Sequence, residues 1–116
     1  MSENRRVQRV EKELRQIVGQ FLTTGVKAPL YGIVSVSRVQ VNRDLRNAKV
    51  FLSWLGDEDH ISEDIDSIRS RSSDMGKEIS RRLRMKFCPR LEFLQDESLE
   101  KRIKIEKILH EIETNE

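Results

Sequence analysis

A chain of 116 residues with 36% apolar and 36% charged side chains reads as one domain with a modest core and a heavily charged surface. Its single cysteine excludes an internal disulfide, and no apolar run is long enough to span a membrane. The formal net charge is only +2, so total charge says little about a partner.

The distribution of charge says more. Residues 1–56 carry +6, residues 57–68 carry −6, residues 69–90 carry +6 and residues 91–116 carry −4. Alternating blocks give a molecule basic and acidic faces, which orient it on a polyanion. The N-terminus lacks the apolar segment of a signal peptide, so a cytoplasmic location is expected.

Residues 3–23 predict an amphipathic helix. Val7, Val10, Leu14, Ile17 and Phe21 recur at steps of three and four, Ser2 is a candidate cap, and Gly25 stands where a stop is expected. Arg5, Arg6 and Arg9 sit on its first turns, where the helix dipole disfavours cations. Their presence there is consistent either with a solvated face or with an anionic partner.

Pro29 breaks the helical pattern. Residues 33–41 alternate with a change of phase near Ser37, since Val34 and Val36 share one parity and Val39 and Val41 the other. That predicts a strand with a bulge or twist. The polar link 42–47, which carries Arg43 and Arg46, leads to a second strand at 48–55, and the two read as an antiparallel hairpin. Ala48, Val50, Leu52 and Trp54 fall on one face. Phe51, on the other, is a candidate base-stacking platform, although packing accounts for most single aromatics.

Acids at the start of the next helix, Asp57, Glu58 and Asp59, suit its positive end and lack the spacing of a calcium loop. The apolar stripe Ile61, Ile65, Ile68, Met75, Ile79, Leu83 keeps a helical period. Residues 69–73 contain no apolar side chain, however, so two helices are expected with a kink between 69 and 76. Ser72, Ser73 or Asp74 would cap the second, and Gly76 would loosen its first turn. That helix is expected to run to Lys86, with Arg81, Arg82, Arg84 and Lys86 complementing the negative end of its dipole. The dipole accounts for two or three of these bases, not for all six between 77 and 90. A third strand follows from Pro89 to Gln95, with Leu91 and Phe93 inward. A last helix capped by Ser98 carries Ile105, Ile108, Leu109 and Ile112 on one stripe.

The expected fold is therefore α+β, in the order α-β-β-α-α-β plus a C-terminal helix, with a three-stranded sheet backed by helices. Residues 1–97 would form the main unit and 98–116 an extension packed on it or trailing from it.

Several stretches resemble the ribosome-binding factor A family of bacterial small-subunit assembly factors. They are Arg6-Val7 through Ile17, Pro29-Leu30-Tyr31-Gly32-Ile33-Val34-Ser35-Val36 with Val39, Asp44-Leu45-Arg46-Asn47-Ala48-Lys49-Val50-Phe51-Leu52-Ser53, Arg84-Met85-Lys86-Phe87-Cys88-Pro89-Arg90-Leu91-Glu92-Phe93, and Asp96-Glu97-Ser98 leading into Arg102-Ile103. They lie in the family's order over nearly the whole chain. The resemblance implies a type II KH-like fold in which two helices meet at a kink in place of a GxxG loop. The family's kink is usually Ala-x-Gly. Here that position falls on Arg71-Ser72-Ser73 and the nearest glycine is Gly76, so Ser72, Ser73 and Gly76 are the kink candidates. The resemblance further implies binding to the small (30S) ribosomal subunit and its 16S ribosomal RNA during late maturation, a role in cold adaptation, and no catalysis.

The residues agree with a non-catalytic reading. The two histidines and one cysteine lack metal spacing, no phosphate-binding glycine loop occurs, and no nucleophile elbow is present. Neither a cofactor nor a small-molecule substrate is expected, and the protein is expected to act as a monomer away from membranes. The first-rank candidates for phosphate contact are Arg69, Arg71, Lys77, Arg81, Arg82, Arg84 and Lys86. Arg5, Arg6, Arg9, Arg43 and Arg46 are second-rank. With aromatics at 5%, recognition by RNA shape and backbone is expected over base stacking. The alternative from another class is a protein-interaction adaptor using the acidic helix start or the C-terminal helix. A helix-turn-helix DNA binder fits the three strands poorly.

Overall fold

The computed structural model describes residues 2–25, 30–97, 107–110 and 112. Helix α1 spans Ser2–Gln20 and ends in a wide π-type turn, Phe21–Gly25. Strands β1 (Ile33–Val41) and β2 (Asn47–Leu55) follow, then helices α2 (Ile61–Arg69) and α3 (Ser72–Leu83), then strand β3 (Arg90–Gln95). This is the α+β order expected of the type II KH-like fold. The last helix expected from Ser98 lies mostly outside the described residues, as do its cap and Ile105.

The sheet order is β1-β2-β3. β1 and β2 pair antiparallel through a tight turn, while β3 returns parallel to β2 after the two helices, so the sheet is mixed. The register slips between Val36 and Arg38, which places the bulge at Ser37. One extra residue there reverses the parity of the strand. Val34 and Val36 therefore pack against the same core that buries Val39 and Val41.

One face of the sheet meets α1, α2 and α3. Leu14, Ile17, Val18, Val50, Leu52, Ile68, Met75 and Ile79 are fully buried between them. Each such side chain contributes about 1.5–3 kcal/mol by leaving water. Two polar ties fix the helices to the sheet. Glu11 of α1 accepts the Val41 N–H at 3.0 Å. Asp64 of α2, only 1% exposed, accepts three N–H groups, from Tyr31 at 2.8 Å, Gly32 at 3.0 Å and the Trp54 indole at 3.0 Å. The acidic run thus does more than suit a dipole, because Asp64 is an internal acceptor. Gly32 is required beside it, since a Cβ there would lie 2.8 Å from Trp54 Cδ1.

The break between α2 and α3 falls on Ser70 and Arg71. Ser72 and Ser73 open α3, and Gly76 lies further along it. The expected serine or aspartate cap is not formed: Arg71 occupies the N-cap position, and its side chain makes no capping hydrogen bond. α3 also stops earlier than its sequence suggests. It ends at Leu83, and Arg84 turns left-handed at φ 53, donating its N–H to the Ser80 carbonyl. Arg84 and Lys86 therefore lie beyond the helix, and dipole complementarity is left to Arg81 and Arg82.

Candidate nucleic-acid interface

Three segments distant in sequence bring basic side chains to one groove. From the first turns of α1 come Arg6 and Arg9, from the β1–β2 turn Arg43 and Arg46, and from the turn after α3 Arg84 and Lys86. The groove encloses about 580 Å³ over an apolar floor that includes Val7, Val10, Leu45, Leu83 and Met85. Among the described residues, Asp44 is the only acid lining it.

Local backbone geometry sets these side chains in place. In the hairpin turn Leu45 adopts φ 60, its N–H bonds the Asn42 carbonyl at 2.9 Å, and its side chain packs on the core. The exposed Arg43 and Arg46 flank it. Asp44 is occupied in holding the turn, accepting the Arg46 N–H at 3.1 Å. After α3 the Met85 N–H reaches back to the Ser80 carbonyl at 3.1 Å, and Met85 packs inward. The side chains of Arg84, Lys86 and Phe87 are left exposed. None of the six groove bases has a carboxylate within 4.0 Å among the described residues. Like charges gathered without counter-charges repel one another, and a polyanion relieves that repulsion.

The remaining first-rank candidates are disposed differently. Glu78 binds Arg81 through two contacts, Nη2 at 2.6 Å and Nε at 3.2 Å, and lies 3.3 Å from Arg82 Nε. The Arg81 hydrogen bond, foremost, holds the Glu78 carboxyl below its ordinary range. Arg82 also donates to Gln20 at 3.3 Å. Arg69 pairs with Asp66 at 3.5 Å, and the half-buried Arg71 with Asp74 at 3.2 Å. Lys77 and Arg5 are exposed and line neither this groove nor the next. Much of the basic charge on α2 and α3 is thus offset locally. The second-rank arginines, by contrast, meet Arg84 and Lys86.

A second groove of about 930 Å³ lies at the helix break. The kink candidates Ser72, Ser73 and Gly76 line it, with Lys49, Arg69 and Arg90. Asn42 and Cys88 border this groove and their chain neighbours Arg43 and Phe87 border the first, so the two adjoin.

Other candidates are accounted for by packing. Phe51 lies on the open face of the sheet, but the Arg38 guanidinium covers its ring at 4.0 Å, so it is not a free platform. Burial pushes the Cys88 thiol up to about 11, so it is protonated near neutrality and a poor nucleophile. Among the described residues no helix is long and apolar enough to cross a membrane. Sequence reasoning missed Asp64, because a buried acid inside an acidic run carries no sequence signal, and Phe87, just beyond the end expected for α3, is exposed at the edge of the groove.

The sequence model of ribosome-binding factor A matches residues 6–109. A ribosome-binding factor A of Bdellovibrio bacteriovorus is 43% identical over 113 residues, covering 97% of this chain and 84% of that protein. The crystal structure of the Thermus thermophilus ribosome-binding factor A superposes with a TM-score of 0.65 at 20% identity, over 77% of this chain and 93% of that one. The Thermus thermophilus factor as fitted into the cryo-EM map of a 30S complex gives 0.62 at 20% identity, with the same 77% and 93% coverage. A family match over most of the chain, a close relative of nearly equal span and a shared fold agree, and the chain belongs to the ribosome-binding factor A family.

Proposed function

We propose that this protein binds the small ribosomal subunit through its 16S ribosomal RNA during late maturation, acting in the cytoplasm as a monomer and without catalysis. The observation that carries the reading is the convergence on one groove of six bases from three segments, none with a carboxylate partner among the described residues. The 30S complex of the Thermus thermophilus factor supports the same partner here. The groove holds RNA by its phosphates, and the adjoining groove at the helix break extends the surface. Residues 1–97 supply the RNA-binding unit. Folded RNA is more easily trapped in wrong pairings in the cold, so loss of the protein is expected to slow growth more at low temperature than at high.

Co-sedimentation of the protein with small subunits in a salt series tests the reading. Binding should weaken with salt, with a log–log slope of about 0.7–0.9 per phosphate contacted. The double variant Arg6→Glu/Arg43→Glu should lose binding while unfolding like the parent. Salt-independent binding, or wild-type binding by the double variant, overturns it.

One observation favours a second role as a protein-interaction adaptor. Ile108 and Ile112 on the C-terminal stripe are 55% and 52% exposed. Removing residues 98–116 separates the cases. A shortened chain that folds and binds RNA makes the segment an accessory available to a partner, and one that unfolds makes it part of the core.

A further inference from the structure

Phe87 is the most exposed large apolar side chain among the described residues, at 74%. It stands on the rim of the basic groove. Of the other Phe, Tyr and Trp rings, Phe21, Trp54 and Phe93 pack in or against the core, Tyr31 stacks on His60 at 4.0 Å, and Phe51 lies under Arg38. The chain on both sides of Phe87 is anchored. Met85 and Cys88 pack on the core and Pro89 is fully buried. The left-handed Arg84 ends the helix three residues before the ring. The ring is thus held outward by a fixed turn, with Lys86 Nζ 5.6 Å from its centroid.

An exposed ring among cations that have no carboxylate partner among the described residues combines the two elements of single-strand recognition, a flat surface for a base and charge for its phosphates. In a duplex the base faces are already stacked, so the ring would add little there. We propose that Phe87 stacks an unpaired RNA base while Arg6, Arg43, Arg84 and Lys86 hold the flanking phosphates, so that the groove takes a single-stranded segment. This rests on the RNA-binding reading above and specifies its ligand.

The test uses the full chain and a single-stranded uridine-rich RNA of about 12 nucleotides carrying a central 2-aminopurine, beside a duplex of equal length. The wild type should quench 2-aminopurine fluorescence on binding. Phe87→Leu keeps the apolar bulk and removes the aromatic face. It should bind the single strand about 5- to 100-fold more weakly, lose the quenching, and keep the duplex affinity and the salt slope. Phe87→Trp should restore both affinity and quenching. If Phe87→Leu binds the single strand like the wild type, or loses duplex binding equally, stacking is overturned. If Arg6→Glu/Arg43→Glu still loses binding in that case, the basic groove stands without the stack. If neither variant changes binding, both readings fall.

Discussion

Three N–H groups converge on the buried Asp64 carboxylate, so any replacement leaves donors unmatched in the interior. Asp64→Asn keeps the shape but turns an NH2 toward at least one of them. It should cost about 2–4 kcal/mol in urea unfolding, and a cost under about 1 would refute the tie. Arg84 poses the opposite case. A non-glycine residue at φ 53 carries strain of about 1 kcal/mol, which Gly would release. Arg84→Gly should therefore raise stability by about that amount while lowering RNA affinity and the salt slope, separating fold from function at one position. His60 supplies a pH-dependent contact. Its Nδ1 lies 2.8 Å from Asp57 Oδ2, and that hydrogen bond, foremost, raises the imidazole above its ordinary 6.5 and lowers the Asp57 carboxyl below 3.8. A raised histidine stabilises fully below 6.5 and loses its contribution as pH rises through the folded value. The lowered aspartate contributes above 3.8 and loses its share as pH falls through its folded value. NMR titration should place the His60 midpoint above 6.5, and Asp57→Asn should bring it back toward that value.

At the scale of elements, α3 shows how far local pattern reaches. Its apolar stripe correctly implied that Met75 and Ile79 are buried, and the absence of apolar residues from 69 to 73 correctly implied a break. The exact site of the break was not legible, because Ser70, Ser72, Ser73 and Asp74 are all weak interior helix formers and all capable caps, and packing chose among them. Gly76 has no conformational need for glycine. A Cβ there would meet Cys88 Sγ at 3.6 Å, an ordinary contact. Gly76→Ala should raise the unfolding free energy by about 0.5–1 kcal/mol, and a loss of stability would show that the α3–Cys88 contact is tighter than drawn. In β1 the parity change at Ser37 was visible in the sequence, but whether it was a bulge depended on pairing with β2. The same pairing sets Arg38 opposite Phe51 and so removes Phe51 as a platform.

At the scale of the whole molecule, charge is redistributed by folding. The block at 69–90 is the densest in the sequence, yet Asp66, Asp74 and Glu78 pair with four of its arginines. Lys77→Glu/Arg81→Glu should accordingly change subunit binding much less than Arg6→Glu/Arg43→Glu, a ranking that one sedimentation series can check. Equal losses would move the interface onto the outer face of α3. The sequence by itself determined the family, the α+β order, the change of phase at Ser37, the inward face of β3 and the helix break. These rest on periodicity and on motifs a few residues long, which need no knowledge of distant neighbours. Only the tertiary structure decided which bases act together and that Asp64 is internal. Those outcomes depend on contacts between residues tens of positions apart, such as Arg6, Arg43 and Arg84, whose meeting is fixed by the packing of α1, the hairpin and α3.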